Sequence, residues 1–324
     1  MTILTRPSLS ATAREAAEAT RHLISLRDLD DDELVFLVER GADFARGTIA
    51  RTRPLEGRVV GIYFRKTSTR TRTAFSCAAL RLGAGIVTYG PDDLQENTGE
   101  AVADTARVLS RMLDAFVART AGPTIELAEL AANAADMAVV NAMTTEEHPT
   151  QALADLTTIA LHCGRLENLK VLYVGEGNNT AAALALALTR VEGTQLELRT
   201  PPGYGLEAAV AADAQRLASA HGASIHEEHD MAKLPTDVDV VYTTRWQTTG
   251  TTKRDPQWRS LFAPFRVDVA LMDRNPDAVF MHDLPAHRGE EVAAEVLDGP
   301  SSIAFDQAEN KLHSATAVLE WCTT

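Results

Sequence analysis

Hydroxyl and guanidinium side chains are concentrated in residues 64–73, where the sequence reads Phe-Arg-Lys-Thr-Ser-Thr-Arg-Thr-Arg-Thr. This run follows an apolar, strand-like segment, 58–64, and leads into an alanine-rich helical pattern that ends near Gly83. At a helix N-terminus, unpaired backbone N–H groups and the positive end of the helix dipole attract anions. Hydroxyl groups add donors, and Arg70 can bind a phosphate through two parallel hydrogen bonds. Composition alone is compatible with either an anion site or a capped surface helix with solvated arginines.

A second polar segment, residues 148–155, reads His-Pro-Thr-Gln-Ala-Leu-Ala-Asp and opens another helical pattern. His148 and Gln151 are three positions apart, so their side chains share one face of the predicted helix. A histidine at this position could simply cap the helix or pack in the core. The Pro-x-Gln sequence after it favours a functional pair that contacts one ligand.

Together these two segments resemble the carbamoyltransferase family, which comprises the aspartate and ornithine carbamoyltransferases. Further matching segments follow in family order along nearly the whole chain, at residues 104–111, 114–119, 175–179, 281–285 and 305–313. A single such motif would be weak, whereas several in order are strong. The resemblance implies an enzyme that transfers the carbamoyl group of carbamoyl phosphate to a primary amine, releases phosphate and needs no cofactor or metal.

Carbamoyl transfer is acyl transfer from a mixed carbonic–phosphoric anhydride to an amine. The amine must be neutral to attack, the carbonyl oxygen must be stabilised as it gains charge, and the leaving phosphate must be neutralised. Because no covalent enzyme intermediate is required, positioning and electrostatics carry most of the acceleration.

The resemblance implies a set of residues that bind carbamoyl phosphate. They are Ser68, Thr69, Arg70, Thr71, Arg119, His148, Gln151, Leu284 and Lys311. Arg119, at the end of a predicted strand, would contact both the phosphate and the carbonyl oxygen. His148 would polarise the carbonyl group and Gln151 would hold the amide. Leu284 would contribute its backbone carbonyl, and Lys311 stands where the family has an arginine.

The resemblance also implies acceptor-binding residues, but here the sequence departs from the ornithine enzymes. Asn179 matches the second asparagine of a turn that binds the amino acid substrate. Ornithine enzymes carry an aspartate where Thr244 stands, and a Ser-Met pair where this chain has Thr248 and Thr249. That aspartate engages the head group of the substrate, so its loss speaks against ordinary ornithine binding.

Charged side chains appear at other acceptor positions instead. Arg245-x-Gln247 resembles the Arg-x-Gln of aspartate carbamoyltransferases, which binds a side-chain carboxylate. Asp283 stands where ornithine enzymes have a cysteine. A carboxylate there favours binding of an ammonium group and raises its pKa, which opposes attack unless the carboxylate also accepts the proton. Both roles are compatible with the sequence, so we count Asp283 with Arg119, His148 and Gln151 as candidate catalytic residues.

These departures predict an ornithine-type carbamoyltransferase with a remodelled acceptor pocket. A short diamino acid such as 2,3-diaminopropionate would match both Arg245 and Asp283. Ornithine, putrescine and aspartate are alternative acceptors, and a non-catalytic homologue that binds carbamoyl phosphate is a further alternative.

A nicotinamide-linked enzyme is a competing class, because residues 175–179 read Gly-Glu-Gly-Asn-Asn. A dinucleotide loop would read G-x-G-x-x-G, but Thr180 occupies the sixth position. A lone G-x-G is a weak signal, and no ribose-binding acid follows in the right context.

Composition limits the classes of binding partner and indicates the cellular compartment. The formal net charge of −14 argues against nucleic acid or an anionic membrane as a partner. The sequence has no run of 18 or more apolar residues, so we expect no membrane span. Three widely spaced cysteines, Cys77, Cys163 and Cys322, fit a reducing cytoplasm better than a disulfide framework.

Length and periodicity predict the architecture that positions these residues. A chain of 324 residues suggests two domains. Apolar runs at 59–64, 85–89, 115–118 and 137–141 are typical of buried parallel strands, with similar runs at 169–175, 195–200 and 238–243. We therefore predict an α/β protein with two doubly wound parallel-sheet domains joined by helices.

The predicted domains are a carbamoyl-phosphate-binding domain at 1–147, an acceptor-binding domain at 148–306, and a C-terminal helix at 307–324 that packs back on the first domain. In the family, the loop corresponding to residues 95–100 reaches the site of a neighbouring subunit. The resemblance therefore implies a homotrimer, or a multiple of one, with shared active sites.

Overall fold

Two parallel sheets form the framework of the computed structural model, which describes residues 20–50, 52–248 and 250–324, with only the backbone at positions 96 and 97. The first sheet has the order β2-β1-β3-β4 and the second β7-β6-β5-β8-β9. The strands of the first sheet are β1 (Val59–Phe64), β2 (Gly85–Tyr89), β3 (Ala115–Arg119) and β4 (Ala138–Met143). Those of the second are β5 (Lys170–Val174), β6 (Gln195–Arg199), β7 (Ser224–Glu228), β8 (Val240–Thr243) and β9 (Val279–His282).

Helices connect the strands. The α-helices are α1 (Asp31–Arg46), α2 (Arg70–Leu82), α3 (Val102–Leu109), α4 (Thr124–Asn133), α5 (Pro149–Cys163), α6 (Asn179–Leu188), α7 (Ala208–Ala220), α8 (Trp258–Phe262), α9 (Val269–Asp273), α10 (Ala294–Leu297) and α11 (Ala304–Thr323). Short 3-10 turns lie at Leu26–Asp28, Gln95–Thr98 and Ala263–Phe265. Every described strand pair is parallel, as crossover helices require. The predicted doubly wound α/β class is therefore confirmed.

The central strands are apolar because helices cover both of their faces. Side chains of β4 are buried along its whole length, and β3 is buried up to its last residue. The prediction that residues 85–89 form a buried strand is wrong as to burial, because β2 is the edge strand and is largely exposed. Its Gly-Ile-Val-Thr-Tyr composition reflects strand propensity more than core packing.

Local signals fix where α1 begins and ends. Asp30 is the N-cap residue: its side chain accepts a hydrogen bond from the backbone N–H of Glu33, and the Glu33 carboxylate accepts one from the backbone N–H of Asp30. Gly47 ends the helix with a φ of 68°, a left-handed conformation in which glycine carries no steric penalty.

Two long helices tie the halves of the chain together. Helix α5 leads from the first sheet toward the second, and its residues 149–159 are buried. Helix α11 packs against α1, α2 and α5, so the C-terminal segment lies beside elements of the first half. This arrangement brings Lys311, on α11, to the cleft between the sheets.

Sequence periodicity overlooked several second-half elements. Strands β7 and β9 and helix α7 had no clear prediction. Polar residues interrupt the apolar ones in β7 and α7, whereas β9 is apolar but only four residues long. Within the described residues, no helix is long and apolar enough to cross a bilayer.

Candidate active site

A cavity of about 280 Å³ opens between the two sheets. It is lined by Thr67, Ser68, Thr69, Arg70, Thr71, Arg119, Met143, His148, Gln151, Asn178, Asn179, Thr180, Thr244, Arg245, Gln247, Thr248, Asp283, Leu284, Pro285 and Lys311. The structure thus brings together every site residue predicted from the sequence except Thr249, which lies outside the described residues.

The cavity lies where strands of both sheets end. Arg119 is the last residue of β3, Thr244 follows β8 and Asp283 follows β9. Carboxyl ends of parallel strands share one edge of a sheet, and ligands of open α/β sheets bind outside that edge. Two such edges face one another here, so residues far apart in sequence meet.

Cationic groups with unused hydrogen-bonding capacity surround the start of α2. Thr69 is the N-cap residue, yet its hydroxyl makes no capping hydrogen bond. Nη1 of Arg119 donates to Oγ1 of Thr71 at 3.4 Å, and its buried Nε has no partner among the described residues. Burial, together with the positive charge of Arg70, lowers the pKa of Arg119 to about 10. A buried cation without a counterion is costly, so this end of the cavity is built to receive an anion.

His148 and Gln151 lie side by side at the start of α5, as their spacing predicted. His148 is buried, and Oγ1 of Thr150 lies 3.4 Å from its Nδ1. Burial, and then the charges of Lys311 and Arg119, hold the pKa of His148 well below its usual value. The imidazole is therefore neutral at pH 7 and can donate one hydrogen bond to a carbonyl oxygen without carrying a charge.

A buried carboxylate, Asp155, orients Gln151. Its Oδ1 accepts hydrogen bonds from Nε2 of Gln151 and from Nε2 of Gln307, both at 2.7 Å, and its Oδ2 accepts from the Tyr242 hydroxyl at 3.1 Å. Nζ of Lys311 donates to Oε1 of Gln151. The nitrogen and the oxygen of the Gln151 amide therefore each have a hydrogen-bond partner, and these partners hold the side chain in one orientation.

Asp155 was not among the predicted site residues. It lies four positions after Gln151 and so on the same helix face, which was a usable signal. Burial raises its pKa to about 7, while burial lowers the pKa of Lys311 to about 8. The charge of each group opposes the pKa shift of the other, and both side chains hydrogen-bond to Gln151.

Hydroxyl groups hold Asp283 at the acceptor end. Its Oδ1 accepts a hydrogen bond from Oγ1 of Thr244 at 2.9 Å, and its Oδ2 accepts from Oγ1 of Thr180 at 3.0 Å. Thr244 and Asp283, two of the positions at which the resemblance indicated a departure from ornithine enzymes, therefore contact each other directly. Leu284 follows with a φ of 53°, an uncommon conformation for a residue with a side chain.

Asn179 connects the two halves of the site. Its Nδ2 donates to the carbonyl of Thr144 at 2.7 Å, and its own carbonyl accepts from the backbone N–H of His148 at 3.2 Å. Its neighbour Asn178, which we had not predicted, caps α6 by accepting from the backbone N–H groups of Thr180 and Ala181.

The segment after β8 contributes three further cavity residues. Arg245 is half-buried, and its Nε has no hydrogen-bond partner in the described part of the chain. Nε2 of Gln247 donates to the carbonyl of Thr251 at 2.8 Å. Oγ1 of Thr248 accepts from Nδ2 of Asn178 at 2.9 Å. Arg245 is therefore a guanidinium at the cavity wall, available to a carboxylate.

Comparison with known proteins identifies the class of enzyme that this fold and cavity define. The family described as "Aspartate/ornithine carbamoyltransferase, carbamoyl-P binding domain" matches residues 21–160. The "Asp/Orn binding domain" of the same family matches residues 167–322. The chain belongs to the aspartate/ornithine carbamoyltransferase family, and it is a carbamoyltransferase.

Individual relatives are named more narrowly. An ornithine carbamoyltransferase of Symbiobacterium thermophilum is 42% identical over 306 residues, covering 92% of this chain and 96% of the relative. The structure of the Pyrococcus furiosus ornithine carbamoyltransferase has a TM-score of 0.87 at 40% identity, covering 93% of this chain and 96% of that one. The anabolic enzyme of Campylobacter jejuni has a TM-score of 0.85 at 30% identity, covering 93% and 98%.

Proposed function

We propose that this carbamoyltransferase acts on the side-chain amine of a diamino acid and that ornithine is its acceptor. Its relatives at about 40% identity are named ornithine carbamoyltransferases, which favours ornithine over the 2,3-diaminopropionate that the sequence alone suggested. The observation that carries the proposal is the hydrogen bond between Thr244 and Asp283. The pocket lacks the aspartate that ornithine enzymes carry at position 244, but a carboxylate is supplied from the adjacent strand end.

The proposed roles follow from the geometry. The helix N-terminus at Thr69 and the guanidinium groups of Arg70 and Arg119 bind the phosphate and neutralise it as it leaves. Neutral His148 donates to the carbonyl oxygen, and Gln151, oriented by its buried partners, holds the carbamoyl amide. These donors are fixed before the substrate arrives, so little reorganisation is needed in the transition state.

In the proposed acceptor site, two side chains of opposite charge bind the two charged groups of the acceptor. The Asp283 carboxylate binds an ammonium group of the acceptor, and Arg245, whose Nε is unpartnered among the described residues, binds its carboxylate. Asn179 and Thr248 line the wall between these two charges.

A shorter diamino acid is the second candidate acceptor. A specific observation favours it: the aspartate side chain at position 283 replaces a smaller cysteine of the ornithine enzymes and points its oxygens at Thr180 and Thr244. We infer that the longer aspartate side chain leaves less room for an acceptor than a cysteine would.

An acceptor panel tests both candidates. Ornithine, 2,3-diaminopropionate, putrescine and aspartate are each supplied with carbamoyl phosphate, and phosphate release and product mass are measured. We expect ornithine to have the highest kcat/KM and putrescine, which has no carboxylate, to react poorly. Preference for 2,3-diaminopropionate would establish the second candidate, and carbamoyl phosphate binding without turnover of any amine would indicate a non-catalytic homologue.

We further propose a homotrimer, or a multiple of one, in the cytoplasm. Residues 95–100 lie between β2 and α3, residues 95 and 98–100 are exposed, and the family resemblance places the corresponding loop at a neighbouring subunit. Mixing Arg70→Ala chains with chains lacking this loop should restore part of the activity, since each kind can complete a site of the other. A fully active monomer in solution would contradict the trimer.

The three cysteines are free thiols, which supports a reducing compartment.

A further inference from the structure

Lys253 is a buried cation outside the cavity. Only 3% of its side chain is exposed, and its Nζ is paired with Oε1 of Glu176. Nζ also lies 4.5 Å from the ring centroid of Tyr204, 5.3 Å from that of Trp258 and 4.6 Å from that of Phe262. We call these five residues the Lys253 clasp. An ammonium group is costly to bury unless it is paired, and here a carboxylate and three aromatic faces offset that cost.

The clasp joins three separate segments of the second half. Glu176 lies on the turn after β5, and Tyr204 on the loop after β6, where its carbonyl accepts from the backbone N–H of Gly177 at 2.7 Å. Lys253 lies on the acceptor segment, which we define as residues 244–257. Trp258 and Phe262 belong to α8, directly after that segment. The clasp therefore fixes the C-terminal end of the acceptor segment, which is the end away from β8.

Contacts link the clasp to the acceptor side of the cavity. The second carboxylate oxygen of Glu176 accepts a hydrogen bond from Oγ1 of Thr248 at 3.3 Å. Trp246 is buried, and its ring lies 5.8 Å from that of Phe262. Trp246 stands between Arg245 and Gln247, so the main chain that carries these two cavity residues is anchored on the same aromatic cluster.

We propose that the Lys253 clasp is a positioning device that holds the acceptor segment against the turn at residues 175–179 and thereby sets the affinity for the amine acceptor. This inference rests on the proposed function, because it takes Arg245 and Thr248 as acceptor-binding residues. The proposed carbamoyl phosphate residues lie elsewhere, at the starts of α2 and α5, the end of β3, the turn after β9, and α11. Loosening the clasp should therefore weaken binding of the amine acceptor and leave binding of carbamoyl phosphate unchanged.

Steady-state kinetics of Lys253→Met test the proposal with the best acceptor of the panel and carbamoyl phosphate. Methionine keeps the apolar stem but removes the charge. We expect the KM of the acceptor to rise about tenfold and the KM of carbamoyl phosphate to change by less than about twofold. Lys233→Met, at an exposed lysine, is the matched control and should behave as the unaltered enzyme. Equal changes in both KM values, or none, would overturn the proposal.

Arg245→Ala is measured in parallel to separate two kinds of failure. If Arg245→Ala raises the KM of the acceptor and Lys253→Met does not, the clasp inference is wrong and the proposed acceptor site stands. If neither variant raises it, the acceptor site is also wrongly assigned.

A second measurement does not depend on turnover. Glu176→Gln removes the carboxylate of the clasp and leaves the trypsin sites at Lys253 and Arg254 intact. We expect trypsin to cleave this variant after residues 253 and 254 about ten times faster than the unaltered protein, because the segment opens more often. Glu207→Gln, at an exposed glutamate, is the control and should not change the rate. Unchanged cleavage of Glu176→Gln would contradict a clasp that holds the segment.

Discussion

The two ends of the cavity differ in how far their side chains satisfy one another. At the phosphate end, the Thr69 hydroxyl makes no capping bond and Nε of Arg119 has no partner among the described residues. At the acceptor end, both oxygens of Asp283 accept hydrogen bonds from threonine hydroxyls, and Thr248 is bonded to Asn178. The phosphate end thus has donors free to bind an anion, whereas at the acceptor end, apart from Arg245, the polar side chains mostly bond to one another.

This difference shows which part of the enzyme is generic and which is particular. A phosphate presents the same charge and geometry whatever the acceptor, and a helix N-terminus with nearby arginines can bind it in the same way. The acceptor varies in length and charge, so residues that contact it can change in concert. Thr244 and Asp283 contact each other and illustrate such a paired change.

The largest expected effect comes from removing an arginine from the phosphate end of the cavity. Arg70→Ala removes a charge-assisted hydrogen bond to the leaving phosphate and should cost about 2–4 kcal/mol of transition-state stabilisation, roughly 30- to 1000-fold in kcat/KM. Arg81→Ala, at an exposed position near the other end of α2, should leave kcat/KM unchanged. Near-normal turnover by Arg70→Ala would show that the phosphate site is wrongly assigned.

A smaller and more selective effect is expected at the acceptor end. Arg245→Ala should raise the KM of the acceptor roughly 10- to 100-fold, as loss of a hydrogen-bonded charge pair predicts, and barely change that of carbamoyl phosphate. Arg254→Ala removes an exposed arginine from the same segment and serves as the control. If putrescine and ornithine respond equally to Arg245→Ala, then Arg245 does not bind the acceptor carboxylate.

The paired change can be tested by reversing it. Asp283→Cys removes the only carboxylate of the Thr244–Asp283 pair and should lower kcat/KM for ornithine. Adding Thr244→Asp returns a carboxylate at the residue whose hydroxyl lies 2.9 Å from Oδ1 of Asp283, and it should restore part of the activity. Contacting residues couple by about 0.5–3 kcal/mol, so the double variant should exceed the product of the single effects by roughly 2- to 150-fold. Strictly additive effects of the two substitutions would refute the idea that a carboxylate at position 244 can replace the one at position 283.

The smallest expected effect is a pH dependence in the phosphate half. Burial lowers the pKa of Lys311 to about 8, so the ammonium is charged below that pH and is lost as the pH rises through it. The kcat/KM for carbamoyl phosphate, which reports the free enzyme, should therefore fall above about pH 8. Lys311→Arg keeps the charge at high pH and should flatten this alkaline decline. A decline of the same size in Lys311→Arg would assign it to another group.

Local sequence determined most of the framework and of the phosphate half. Runs such as 59–64 and 115–118 predicted strands because buried parallel strands are continuously apolar. The spacing of His148 and Gln151 placed both on one face at the start of α5. These features depend on neighbouring residues, so the sequence alone carries them. The proposed boundary at residue 148 stays a prediction.

Tertiary structure decided what depends on residues distant in the chain. The edge position of β2, the bond from Thr244 to Asp283 across 39 positions, and the pairing of Lys253 with Glu176 across 77 follow from strand order and loop packing. No local propensity encodes these contacts. Asp155 is the clearest case, because its role arises only where α5, β8 and α11 meet and bury its carboxylate among Gln151, Tyr242 and Gln307.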